Sequence, residues 1–194
     1  MSRSIESLYA IVDAEYAERP LELAFKALNA GCAIVQLRAK RLDDLSFLEI
    51  ATRVRSACGH AGVPFVINDR ADIARLVEAD GLHLGQDDLS IDDARKVVGS
   101  MQIGVSTHSL EQAITAEAEG ADLIAFGPVF PTKTKENPDR VVGLEELARV
   151  CGTVSRPVVA IGGISPENAQ ETLRAGARHL AVISALPRFL EDAR

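Results

Sequence analysis

Short apolar runs recur along the chain, and each is followed by a stretch with helical patterning. They are LYAIV (8–12), AIVQL (33–37), PFVIN (64–68), GLHLG (81–85), QIGVS (102–106), DLIAFG (122–127), PVVAIG (157–162) and HLAVIS (179–184). Runs that are continuously apolar rather than alternating predict parallel strands covered on both faces. Helix-start chemistry lies between them. Ser109 with Gln112 reads as a capping box, Ser90 with Asp93 as a weaker acidic one, and Ser165 before Pro166 as an N-cap with proline at the first helical position. Gly31, Gly120 and Gly176 stand where helices should end. No linker or low-complexity tract divides the sequence. The alternation predicts a (βα)8 TIM barrel, an α/β fold formed as a single domain over 1–194, with a doubly wound open sheet as the structural alternative.

Composition narrows the function. The 194 residues are 47% hydrophobic and 25% charged, ordinary for a globular protein, with 21 Lys plus Arg against 28 Asp plus Glu and a net charge of −7. An acidic chain lacks the positive field that a nucleic-acid or membrane-surface binder needs. Cys32, Cys58 and Cys151 are odd in number and show no CxxC spacing, so they read as reduced thiols. The N-terminal segment does not resemble a signal peptide, and no apolar stretch approaches the ~20 residues of a membrane span. The expectation is a cytoplasmic protein, with a homo-oligomer left open.

In a barrel of this kind the active site lies at the carboxyl ends of the strands, and polar residues gather there. In IVQLRAK, Gln36, Arg38 and Lys40 alternate, so an extended chain would turn them to one side. Such a set suits an oxyanion, with Arg gripping two oxygens and Lys acting as a point charge. A solvated loop is the competing reading. Lys135, in GPVFPTKTK, adds a cation on the same rim, while Lys133 faces out. Asn68 and Asp69 end the third run, and Gln86, Asp87 and Asp88 follow the fourth. Asp69 and Asp88 are natural ligands for a hard cation such as Mg²⁺, which takes one or two carboxylates beside phosphate oxygens. Asp69 could instead cap the next helix, and spacing does not separate Asp87 from Asp88. Gly162 and Gly163 permit close backbone approach. Together with Ser165 and the Ile183–Ser184 pair they form the usual monophosphate position of a barrel. Two separate anions are implied. His83 reads as a core residue, and no spacing suggests a catalytic triad or a covalent nucleophile.

The ordered set QLRAK, IND, HLGQDD, GVS, GPVFPTKTK, IGGI and VISA closely resembles the thiamine-phosphate synthases, from Leu8 to about Leu186. The resemblance implies a (βα)8 barrel and a transferase of thiamine biosynthesis. Such an enzyme joins hydroxymethylpyrimidine diphosphate to hydroxyethylthiazole phosphate and releases diphosphate. It implies that Gln36, Arg38, Lys40, Asn68 and Lys135 hold the pyrimidine diphosphate, with Arg38, Lys40 and Lys135 catalytic and Ser106 near the ring. Asp69 and Asp88 would bind Mg²⁺. Thr132, Thr134, Gly163, Ile183 and Ser184 would hold the thiazole phosphate. Ala39 departs from the acidic residue that many members carry between the Arg and the Lys. Two rival readings are a thiazole tautomerase on the same barrel and a non-catalytic binder of thiamine phosphates. Tautomerases carry a His where this chain has Pro128 and tend to lose the two aspartates.

Overall fold

The computed structural model describes residues 5–132 and 140–191. Its eight strands close in sequence order into one parallel barrel, with the first strand hydrogen-bonded to the eighth. Closure rules out the open-sheet alternative. The strands and the helices that follow them are β1 (Leu8–Asp13) and α1 (Pro20–Asn29), β2 (Ile34–Arg38) and α2 (Asp44–Ala61), β3 (Phe65–Asn68) and α3 (Ala71–Leu76), β4 (Gly81–Leu84) and α4 (Ile91–Val98). The second half repeats the plan with β5 (Gln102–Thr107) and α5 (Leu110–Ala118), β6 (Leu123–Phe126) and α6 (Gly143–Thr153), β7 (Val158–Ile161) and α7 (Ala169–Arg174), β8 (His179–Val182) and α8 (Leu186–Glu191).

The period of two along each strand divides the apolar residues into two cores. Leu8, Ala10, Val12, Val35 and Leu37 belong to the larger one, in which strands and helices pack together. Tyr9, Ile11, Ala125, Val159 and Ala181 form the smaller one, the filling of the barrel itself. This is why both faces of a strand are apolar and the runs are continuous.

Local chemistry sets the helix ends. Ser109 accepts from Gln112 N at 3.2 Å, and Gln112 Oε1 reaches back to His108 N at 2.7 Å. Ser90 accepts from Asp93 N at 3.1 Å and donates to the Asp93 carboxylate at 2.8 Å. Ser165 departs from expectation. It does not cap a helix, because Pro166 and Glu167 lie in a turn and α7 starts at Ala169, three residues beyond the expected Pro166. The Asn168 side chain accepts from Ser165 N at 2.8 Å, and this reversed bond closes the turn.

The amino-terminal end of the barrel is braced twice in the same way. Asp80, just before β4, accepts from Phe65 N at 2.8 Å and faces Arg55 of α2 at 3.7 Å. Asp122, just before β6, accepts from Ile103 N at 2.9 Å and from Arg95 of α4 at 2.6 Å. The three cysteines are free, as expected, and burial pushes the Cys32 and Cys58 thiols up to about 12. No described helix is long and apolar enough to cross a membrane.

Candidate active site

The polar strand ends assemble into two neighbourhoods on the carboxyl mouth of the barrel. The first lies over β1–β4. Asp13 and Arg38, register partners at the ends of β1 and β2, form an ion pair in which the Asp13 side chain is wholly buried. Lys40 Nζ lies 3.1 Å from Asp69, and the Asp88 carboxyl is a close neighbour of the Asp69 carboxyl. Burial raises the proton affinity of Asp69, the neighbouring Asp88 raises it further, and Lys40 opposes both. Asp88 Oδ2 in turn accepts from Gly85 N at 2.6 Å.

Asp69 has the left-handed φ of +61°, uncommon outside glycine. Its amide donates to His83 O at 2.8 Å, so the turn after β3 is held against β4. The carboxylate does not cap α3, whose first residues have no side-chain cap. It is turned instead toward Lys40 and Asp88. Two adjacent carboxylates, one held above its ordinary range, fit a hard divalent cation. Among the described residues no third His, Cys, Asp or Glu joins them. Any such ion would take its other ligands from substrate or water.

Gln36, Arg38 and Lys40 do not meet at one point. β2 ends at Arg38, the buried Ala39 turns the chain, and Lys40 projects onto the exposed rim. Gln36 sits lower in the barrel, buried, with its amide donating to Tyr9 OH at 2.9 Å. Asn68 ends β3 beside His83, its register partner on β4, and is nearly buried.

The second neighbourhood is an apolar cleft over β5–β8. Ser106, His108, Pro128 and Thr132 line it together with residues 161–164 and 181–185. This brings Thr132, Gly163, Ile183 and Ser184 together, and it sets Ser106, which the resemblance placed with the pyrimidine, against the same cleft. Gly162 and Gly163 have φ of +92° and +65°. A methyl at Gly162 would stand 2.4 Å from Pro128 Cβ, and one at Gly163 would stand 2.6 Å from Pro131 O. The close approach they permit is thus first of all that of the β6–α6 loop, fixed by Val129 N to Ile161 O and Phe130 N to Gly162 O at 2.9 and 3.0 Å. The Gly127–Pro128 peptide in this loop is cis. Thr134 and Lys135, with Lys133, lie outside the described residues.

Asp13 and His108 escaped sequence reasoning at this mouth, whereas His83 is buried as expected and its contact with Ser106 is what the sequence did not show. Asp13 reads as the polar end of an apolar strand. His83 is buried in the barrel, where it faces Gly104 and meets Ser106 Oγ through Nε2 at 2.8 Å. Gln86 Nε2 donates to Ser106 O at 2.6 Å, so Ser106 is held at both side chain and backbone. His108 Nδ1 lies 2.6 Å from Gly127 O, with its ring at the cleft wall. The contacts of Asp13 and His108 cross between strands and carry no local signal.

Comparison with known proteins shows the family to which the fold belongs. The family model for thiamine monophosphate synthase matches residues 8–186. The thiamine-phosphate synthase of Methanocella arvoryzae is 47% identical over 92% of this chain and 86% of its own length. That of Archaeoglobus fulgidus is 44% identical over 93% of this chain and 85% of its own. A solved structure of thiamine phosphate pyrophosphorylase from Pyrococcus furiosus superposes with a TM-score of 0.86 at 35% identity, covering 98% of both chains. An N-acetylmannosamine-6-phosphate 2-epimerase from Clostridium perfringens, at 16% identity and a TM-score of 0.69, shares the fold.

Proposed function

The chain belongs to the thiamine monophosphate synthase family, and we propose that its two neighbourhoods divide the two substrates of that reaction between them. It is a transferase that joins hydroxymethylpyrimidine diphosphate to hydroxyethylthiazole phosphate, giving thiamine phosphate and diphosphate. The observation that carries the assignment of sites is their chemical contrast across one barrel mouth. Paired charges stand over β1–β4, and an apolar cleft with hydroxyls at Ser106, Thr132 and Ser184 stands over β5–β8.

Arg38 and Lys40, joined by Lys135, bind the diphosphate, and Gln36 and Asn68 orient the pyrimidine below it. Asp69 and Asp88 would hold Mg²⁺, which when bound would neutralise diphosphate charge. Ser106, which lines the cleft and is held by His83 and Gln86, meets the aminopyrimidine ring and so stands where the two substrates join. Thr132, Thr134, Gly163, Ile183 and Ser184 hold the thiazole phosphate. The bond from the pyrimidine methylene to the diphosphate oxygen breaks, and the electron pair leaves with the diphosphate. The aminopyrimidine shares the positive charge on the methylene until the thiazole nitrogen donates its pair. No base is needed, so the protein contributes alignment of the two substrates and fixed charges around the leaving group.

The test is incubation of the purified chain with both substrates and Mg²⁺. Thiamine phosphate and diphosphate are expected in equal amounts, and none without the metal. The tautomerase reading is tested by supplying the thiazole tautomer alone. Pro128 offers no acid or base at the position where tautomerases carry His, so no conversion above background is expected. Conversion without synthase activity, lost in His108→Asn, would transfer the chain to that reading.

A further inference from the structure

Asp13 is a carboxylate at the mouth that the reaction above does not use. Its side chain is wholly buried, and both of its oxygens are committed. Oδ2 accepts from Arg38 Nη1, and Oδ1 accepts from Glu15 N at 2.9 Å. The backbones are tied as well, since Ala14 N donates to Arg38 O at 2.8 Å. Lys40 makes a useful contrast. Its side chain is 51% exposed and its partner Asp69 sits on the loop after β3, whereas Arg38 is 22% exposed and braced from the adjacent strand.

A buried carboxylate cannot readily lose its partner, because an uncompensated charge would remain in the interior. The pairing therefore persists whether or not substrate is bound. It engages one nitrogen, Nη1, of a planar guanidinium that carries five donors. It also cancels most of the net charge of Arg38. What Arg38 retains is a set of hydrogen-bond donors held in a fixed plane.

We propose that Asp13 is a positioning residue for the reaction: it holds the Arg38 guanidinium so that its unused donors meet the diphosphate as negative charge develops there. The proposal rests on the assignment of Arg38 to the diphosphate. Asp13 touches no substrate and acts only through Arg38, and the orientation it imposes is realised in the transition state more than in the bound ground state.

The experiment is a double-mutant cycle with Asp13→Asn and Arg38→Ala, read in kcat, in KM for the pyrimidine diphosphate, and in the Kd of inorganic diphosphate with Mg²⁺ by calorimetry. Asp13→Asn is expected to lower kcat at least about tenfold, the equivalent of one charge-assisted hydrogen bond. KM and the diphosphate Kd should not rise, because removing a negative charge beside an anion site offsets the lost alignment. In the Arg38→Ala background, Asp13→Asn should change kcat less than about twofold. Equal losses in both backgrounds, or unchanged kcat in the first, overturn the proposal. Arg38→Lys gives a second reading that does not depend on Asp13→Asn folding. It keeps the charge and loses the plane, so it should fall as far as Arg38→Ala. Activity near wild type in Arg38→Lys overturns the positioning role. Unchanged kcat and diphosphate Kd in Arg38→Ala would instead remove Arg38 from the clamp, and the proposal with it.

Discussion

Asp69 shows how a single residue sets function against stability. Its carboxyl is partly buried beside a second carboxylate, on a backbone conformation that favours Asn or Gly over most residues. The folded chain binds its proton more tightly than the unfolded chain does. That contribution to stability is fully present below the ordinary carboxylate range and is lost as the pH rises through the raised value of Asp69. The metal-free protein should therefore lose stability across that window, and Asp69→Asn should flatten the loss, as pH-dependent denaturant titration would record. At neutral pH Asp69→Asn is expected to stabilise the metal-free chain by roughly 0.5–1 kcal/mol, since relief of like-charge repulsion outweighs one exposed ion pair. That corresponds to about 1–4 °C in Tm for a chain of this size. Manganese binding, followed by electron paramagnetic resonance, should be severely weakened in the same variant. A fall in Tm with intact manganese binding would show that Asp69 serves the fold and not a metal.

Among the elements, the β6–α6 loop stands out because it is seated on the glycine pair after β7. Gly163→Ala would place a methyl 2.6 Å from Pro131 O and 2.7 Å from Phe130 Cβ, at a backbone φ of +65°. The loop must move or the turn must distort. KM for thiazole phosphate should rise at least about tenfold while the Kd of inorganic diphosphate with Mg²⁺ holds, and stability should fall by about 1–3 kcal/mol. At the opposite end of the barrel, Asp122→Ala breaks a brace to Ile103 N and Arg95. It should lower stability by about 1–3 kcal/mol and leave KM for both substrates unchanged. The elements themselves were legible because strands buried on both faces leave continuous apolar runs, and the helix caps at Ser90 and Ser109 are short-range patterns. Ser165 misled because Ser-Pro opens turns as readily as helices, and Asn168 decides between them only by folding back. At the mouth, Ser106 and Ser184 lie at the carboxyl ends of β5 and β8, where the apolar runs placed them. Gln36 and Lys40 diverged because β2 stops at Arg38, and pattern alone does not mark where an extended run bends. Asp13 was invisible for a related reason, since its partner is 25 residues away on the neighbouring strand.

For the molecule as a whole, the net charge of −7 opposes an anionic substrate, and at the mouth Arg38 and Lys40 are each paired with a carboxylate. Diphosphate and Mg²⁺ together should bind only the folded chain. At a hundred times Kd they should stabilise it by about 2.7 kcal/mol, or roughly 5–11 °C in Tm. Neither alone should match that shift, because each supplies the charge that the other requires. The seam between β1 and β8 bears on a different matter, the order in which the molecule becomes competent. Leu8 pairs with Leu180, so this rung joins almost the whole chain end to end and carries about 4–5 kcal/mol of loop-closure entropy. A chain still emerging from the ribosome has β1 and β7 as unpaired edges until β8 arrives, and unpaired edges invite pairing with other chains. The eighth strand thus works as a latch. It completes the cleft over β5–β8 in the same event that removes the last open edge, so a finished mouth and protection from aggregation are acquired together.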